Sequence, residues 1–408
     1  MLRAVHIRGI IVRFTPFLAA VLLSTTAALA TPEVSDADRL LHEQMLVLDT
    51  HLDTPMLFER DGWRFDALNH YGWDQSQTDI PRMEWGGLDG GFFVIYTPQG
   101  PLTPEGYVAA RDAALKRASA IQRVIGENKD RIALATTAAD AERLHSEGKM
   151  IAFQSIENSY PLGGDLTMLE TFYKLGVRMA GPVHSRNNQF ADSTTDTPRW
   201  NGLSPLGKEW VAEMNRLGMV IDGSHSSDAT FDQMLELSKT PIVLSHSGSK
   251  TIHDHPRNID DARLKRLAAK GGVMFINSIF LTPHDTSKER GAIQDRQNRW
   301  AELNAAERRK LLADKAALDA KQPYTPADFE LYMKSLLHAV DVMGVDHVGL
   351  GADWDGGGGV IGMEDVSDLP KITAYLRARG MREADIAKIM GGNLLRVMRA
   401  AEAAAAKR

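Results

Sequence analysis

Eight apolar, β-rich runs recur along the chain, at about 45–53, 91–97, 150–157, 177–184, 218–225, 241–247, 272–278 and 347–353. A parallel strand covered on both faces reads as such a continuous run rather than as strict alternation. Between most runs the spacing of apolar positions becomes helical. In 205–217, Trp210, Val211, Met214 and Leu217 share one face and Gly218 follows, which marks a helix and its stop. Residues 260–270 and 326–343 read the same way. The alternation predicts an α/β fold: a (β/α)8 TIM-like barrel with helices outside and its site at the C-terminal rim of the strands.

Two stretches break the pattern. Residues 54–90 lack periodicity and are rich in Gly, Trp and Asp, which predicts a long loop with a small strand or hairpin of its own. Residues 285–322 carry dense mixed charge, with Trp300, Leu303, Leu311 and Leu318 on a loose helical stripe. They are expected to form a helical insertion after the seventh run: a solvated excursion, a lid over the rim, or an oligomer contact. The tail 400–408 reads as a fraying helix end. No internal repeat or interdomain linker is visible, so 31–408 is expected to be one domain.

Composition narrows the function classes. The 408 residues are 25% charged and 43% hydrophobic, ordinary for a globular protein and enough for a barrel with insertions. Arg3, Arg8 and Arg13 precede the apolar stretch FLAAVLL, and Ala28-Leu29-Ala30 offers a small-residue cleavage pattern. Residues 1–30 therefore read as an export signal, with the mature protein periplasmic or secreted. Ser24, Thr25 and Thr26 interrupt the apolar run well short of the roughly 20 residues needed to span a bilayer, so no stable membrane anchor is expected. Removing three arginines and no acid takes the formal charge from −6 to −9. An acidic chain with no basic stripe argues against a nucleic-acid partner. There is no cysteine, so any metal has to be held by imidazole and carboxylate.

Such side chains fall at the ends of the runs. His51 and Asp53 are two apart, which puts both on one side of a strand and within reach of one ion; Pro55 then stops the strand. Glu157 closes an apolar run where a buried carboxylate needs a cation or several donors, and its two oxygens can bridge a pair of ions. His225 and His246 close successive runs in GSHSS and LSHSG, positions suited to neutral imidazole ligands. His184 also closes a run; it is a further ligand candidate, but the other five already supply two sites, so a donor role toward a substrate carbonyl is favoured. Arg257, in HDHPRNID, is suited to bidentate capture of a carboxylate. His253 and His255 read as loop residues. Asp353 and Asp355, in GLGADWDGGGG, are both placed to carry a proton; Asp353 is preferred as the nearer to the strand.

HLDTP, IPRMEWGGLDGGFFVIY, SIEN, HSRNNQFADS, GLSPLGKEWVAEMNRLGMVIDGSHSS, PIVLSHS, HPRNIDD, GLGADWDG and IMGGNLLRVMR occur in that order. Together they resemble the membrane (renal-type) dipeptidase family, a branch of the metal-dependent amidohydrolase barrels. The resemblance spans essentially the whole mature chain. It implies that His51 and Asp53 bind one zinc, His225 and His246 the other, and Glu157 bridges them. It further implies that His184 contacts the substrate, Arg257 its terminal carboxylate, and that Asp353 handles the proton. The animal members use cysteines for disulfides and dimer links, and often a lipid anchor; none is implied here. The insertion at 285–322 is larger than expected for them and bears on substrate preference.

The expected activity is hydrolysis of dipeptides by a hydroxide bridging two zinc ions per chain, with Mn, Co or Fe also compatible with the donors. A homodimer is the default assembly. Alternatives are a related binuclear amidohydrolase acting on N-acyl amino acids, lactones or phosphoesters, a metal-dependent isomerase or lyase, and, from another class, an exported solute-binding protein.

Overall fold

Each of the eight apolar runs contains a strand, in a computed structural model that describes residues 33–69 and 76–405. The export signal expected at 1–30 lies outside the described residues. The strands are β1 (Leu48–Leu52), β2 (Gly90–Ile95), β3 (Ile132–Leu134), β4 (Met150–Ile156), β5 (Val177–Ala180), β6 (Val220–Ile221), β7 (Val243–Ser247), β8 (Val273–Ile276) and β9 (Val348–Leu350). All pairings between them are parallel, in the order β6-β5-β4-β2-β1-β9-β8-β7. The ring closes just past β6: Asp222 bridges Val243, and the Gly223 amide donates to the Val243 carbonyl at 2.7 Å. The ninth strand, β3, is an addition that the sequence reading did not include. It pairs with Met150–Ala152 while β5 pairs with the later half of β4, so it flanks the barrel without joining the ring.

Side chains alternate along the strands, so one set fills the barrel and the other meets the helices. Leu48, Phe92, Phe153, Met179, Val220, Val243 and Phe275 form one buried cluster with Leu394, Val397 and Met398 of the last helix, Asn393–Ala405. Phe92 and Phe153 stack there with centroids 5.1 Å apart. The last helix caps the N-terminal ends of the strands. Asn393 donates to the Val348 carbonyl and Arg396 to the Gly271 carbonyl, both at 2.8 Å. With that end closed, a site can open only at the opposite rim.

The strand or hairpin expected within 54–90 is absent among the described residues. Thr54–Leu57 is a 3-10 turn, and Ile80–Gly86 is an α-helix. The overlooked signal was Asp79-Ile80-Pro81: the Asp79 side chain accepts from the Arg82 amide and proline lies in the first turn, a favourable helix start. The insertion forms two helices, Lys288–Asn298 and Ala305–Lys321, around a small core of Ile293, Leu311 and Leu318. Arg290 ties its base together, bonding Asp285 at 3.1 Å and Asp319 at 2.6 Å. At its tip, Arg60 lies over the Trp300 ring at 4.8 Å. No helix among the described residues is long and apolar enough to cross a membrane.

Candidate metal centre

Parallel strands deliver their C-terminal ends to a single rim, and the polar residues that close the apolar runs meet there. His51 lies within β1 and His246 within β7. Glu157 follows β4 directly; Asp53, His184, His225 and Asp353 sit on loops just past β1, β5, β6 and β9. His225 and Asp353 have φ of 65° and 71°, the left-handed region that non-glycine residues seldom occupy. Strain of this kind persists only where the surroundings impose it, and it concentrates at functional sites.

Glu157 is the centre of the cluster. Its Oε1 lies 3.1 Å from His225 Nε2, 3.5 Å from His246 Nε2, 3.6 Å from His184 Nε2 and 3.8 Å from His51 Nε2. His51 Nε2 is also 3.6 Å from Asp53 Oδ2 and 3.9 Å from Asp353 Oδ1. His225 and His246 point their Nε2 atoms at each other, 2.9 Å apart. Three overlapping sets of potential ligands result: His51, Glu157 and His246; Glu157, His184 and His225; His51, Asp53 and Asp353. Buried His51 Nε2 and Asp53 Oδ1 have no hydrogen-bond partner among the described residues. Orphaned atoms of this kind are costly unless they bind something, and their donor chemistry fits a divalent cation.

The electrostatics agree. Burial holds His225 and His246 well below the ordinary histidine value, with Arg257 and the neighbouring imidazoles adding to it; both are neutral and keep a lone pair for a ligand. Burial pushes Glu157 well up, helped by Asp53 and Asp353, and raises Asp353 to about 7. Burial opposes charge on His51, yet Asp53, Glu157 and Asp353 outweigh it and lift that group to about 10. The pocket thus demands positive charge, which a dication meets while accepting the imidazole lone pair.

A model of the family described as membrane dipeptidase (peptidase family M19) matches residues 35–408, nearly all of the chain. The chain belongs to the membrane dipeptidase family. This is a family of metallopeptidases, so a metal cofactor is implied. Dipeptidase verJ of Clonostachys rogersoniana is 30% identical over 389 residues, covering 92% of this chain and 89% of verJ. The crystal structure of the probable dipeptidase PvdM of Pseudomonas aeruginosa superposes with a TM-score of 0.77 at 29% identity, over 90% of this chain and 98% of PvdM. A metallopeptidase of Rhodobacter sphaeroides, liganded with a phosphinate mimic of the dipeptide L-Ala-D-Ala, gives 0.70 at 25% identity, over 88% of this chain and 99% of its own. The curled parallel sheet is the TIM-like barrel of these dipeptidases.

In this dipeptidase family member a second set of residues orients the cluster, and sequence reasoning did not single it out. Asp222 accepts from the amides of Ser224 and Ser245, both at 2.9 Å, and from the Ser245 hydroxyl at 2.6 Å. A carboxylate only accepts, so the Ser245 hydrogen is committed to Asp222. Ser245 Oγ can then only accept from His246 Nδ1, 2.8 Å away, which leaves Nε2 as the lone-pair nitrogen. Ser245→Ala is expected to weaken metal binding by about tenfold or more, measured by competition with a chromogenic chelator; unchanged affinity would mean that the relay does not orient His246. Asp49, within β1, plays a similar part, accepting from the His51 amide at 2.8 Å and the Ala352 amide at 3.0 Å.

The two candidate proton carriers separate cleanly. Asp355 is engaged by the Thr54 hydroxyl and the Gln77 amide, both at 2.6 Å, whereas Asp353 Oδ1 faces His51. Gly356 approaches both Asp53 and Asp353 so closely that a Cβ there would lie 2.1 Å from Asp53 Oδ2 and 2.2 Å from Asp353 Oδ1. Arg257 is buried with its guanidinium on the Ser247 hydroxyl at 3.2 Å and the His246 carbonyl at 2.9 Å, and its Nε has no hydrogen-bond partner among the described residues. Tyr96, just past β2, was also missed. Its ring meets His184 edge-on at 5.1 Å, and burial beside Glu157 and Asp53 raises its hydroxyl to about 12.

Proposed function

We propose that this chain is an exported zinc dipeptidase that hydrolyses the single peptide bond of dipeptides. One observation carries the reading: four imidazole Nε2 atoms lie between 3.1 and 3.8 Å from one oxygen of Glu157, beside two further carboxylates. His51 and Asp53 would hold one ion, His225 and His246 a second, and Glu157 both; the sulfur-free donor set suits zinc. When bound, such ions would supply Lewis acidity and make a water nucleophile available near neutral pH by lowering its pKa.

The chain's own residues then divide the work. Arg257 pairs with the free carboxylate of the substrate and sets the distance from the rim to the scissile carbonyl. Burial and Arg257 keep His184 neutral, with its pKa near 4. Its Nδ1 lies 2.9 Å from the Ser185 hydroxyl; with Ser185 as the donor, Nε2 would carry the hydrogen and donate to the carbonyl oxygen as negative charge develops there. Asp353 takes a proton from the attacking water and passes it to the departing nitrogen as the C–N bond breaks. The products are two free amino acids.

The test is an assay of metal-loaded protein on a dipeptide and on its C-terminal amide. Losing the charged partner of Arg257 is expected to lower kcat/KM by about tenfold or more. Equal turnover of both substrates rules out the carboxylate clamp. Activity that survives exhaustive chelation, with metal content confirmed as nil, rules out the metal mechanism.

A further inference from the structure

Beside Arg257, four planar side chains form a continuous wall that the proposed chemistry does not use. His255 stacks on Phe280 with centroids 4.7 Å apart and planes inclined by 14°. Phe280 meets His284 at 5.3 Å, and His284 stacks on Tyr324 at 4.7 Å. The rings come from three places: the loop after β7, the loop after β8, and the segment following the insertion helices. None is fully buried, and Tyr324 is 37% exposed.

The wall adjoins the site on both sides. The Arg257 guanidinium lies 5.6 Å from the Phe280 centroid. Toward β9, Ser278 donates to the Ala352 carbonyl at 2.5 Å and accepts from the Gly359 amide at 2.8 Å, and Gly357 lies against Ile279. The segment 278–280 therefore touches both the carboxylate clamp and the loop that carries Asp353.

The histidines of the wall are committed within it. His284 Nε2 bonds the Ile279 carbonyl at 2.7 Å, and its Nδ1 meets the Tyr324 hydroxyl at 3.3 Å. His255 Nδ1 accepts from the Arg257 amide at 3.2 Å. Burial, with Arg257 adding to it at His255, holds His255 and His284 below the usual histidine range, so their rings are uncharged at neutral pH and offer π-faces. The insertion has a place in this arrangement. The Asp285 amide donates to the Tyr324 carbonyl at 2.8 Å, and the Thr282 and Thr325 hydroxyls bond at 2.7 Å, pinning the last ring against the third.

We propose that this wall is the subsite for the side chain of the substrate's carboxyl-terminal residue, and that it selects planar aromatic side chains there. The inference rests on the dipeptidase reading. A residue whose α-carboxylate is held by Arg257 has its Cα one bond away, so its side chain leaves within reach of Phe280 and His255. Flat rings gain contact and favourable quadrupole alignment against such a surface, which a branched aliphatic chain of equal volume does not.

The test uses full-length, metal-loaded enzyme on the series L-Ala-X, with X as Gly, Leu, Phe or Tyr. Phe and Tyr are expected to exceed Leu in kcat/KM by about tenfold, mainly through KM. Phe280→Leu keeps apolar volume but removes the plane, so the Phe-to-Leu ratio should collapse toward one. Phe280→Tyr should restore it, and Tyr324→Ala should reduce it in part. Comparable rates for Phe and Leu in the unmodified enzyme, or a ratio unmoved by Phe280→Leu, overturn the wall as a selector while leaving dipeptide hydrolysis standing. Failure to cleave any dipeptide overturns both.

Discussion

Glu157→Gln is expected to lower dipeptide hydrolysis by about three orders of magnitude or more while leaving the metal-free protein folded. Glutamine preserves the shape but removes the negative charge shared among four imidazoles, and an amide is a poor bridge between two cations. In the metal-free protein the same carboxylate is buried beside Asp53 and Asp353, which disfavour its charge. Neutralising it should therefore not cost stability there, and could add some. The contrast appears on titrating metal. The unmodified protein gains about 4 kcal/mol at a thousandfold excess over Kd, visible as a rise in Tm, whereas the variant gains little. Retention of activity within tenfold, or an undiminished thermal response, would falsify the shared-carboxylate centre.

Acidification should have removed about 3 kcal/mol of folding stability by pH 4 through His42 alone, whose folded-state pKa is about 4 against an ordinary histidine value in the unfolded chain. His42 is fully buried where three helices meet: Asp36–Glu43, Ile80–Gly86 and Pro370–Ala378. Its Nε2 donates to the Gly86 carbonyl at 2.9 Å, and its Nδ1 accepts from the Thr373 hydroxyl at 2.7 Å. Burial lowers its pKa to about 4, with the Gly86 bond and Asp89 opposing and Arg39 assisting. The folded-state value lies below the unfolded one. Above pH 6.5 both states are neutral and nothing is lost. As the pH falls through 6.5 the unfolded chain takes a proton that the folded chain refuses, and the loss levels off below 4. The buried histidines of the metal centre add to the same window in metal-free protein. The comparison is therefore the difference in pH slope between the unmodified chain and His42→Leu, from urea unfolding at several pH values. That difference should equal one proton; parallel slopes would mean that His42 accepts its proton in the folded state.

The positions that meet at the rim were readable because β/α barrels export the ends of their strands. A polar residue closing an apolar run is conspicuous, and Glu157, His225 and His246 each do so. Period-two spacing also linked His51 with Asp53. Other features had no such local mark. Asp222 and Ser245 lie inside strand-like runs and look like ordinary polar interruptions until the ring closes and places one against the other. Tyr96 continues an apolar strand, and its approach to His184 depends on a neighbour 88 positions away in the chain. The misreading of 54–90 was local: the capping aspartate and first-turn proline at 79–81 were present but outweighed by the glycines around them.

Alternation of apolar runs and helical stripes determined the barrel, and the residue types at the run ends determined that the site is built from imidazole and carboxylate. These follow from periodicity and composition, which survive in one dimension. Only the tertiary structure decided that Asp355 is spent on Thr54 and Gln77 while Asp353 faces the cluster, since two aspartates two residues apart are equivalent until packing assigns their partners. The same holds for the tautomer of His246 and for the ring stack beside Arg257. Hydrogen-bond directionality and ring contact are properties of groups brought together by folding, and no spacing along the chain encodes them.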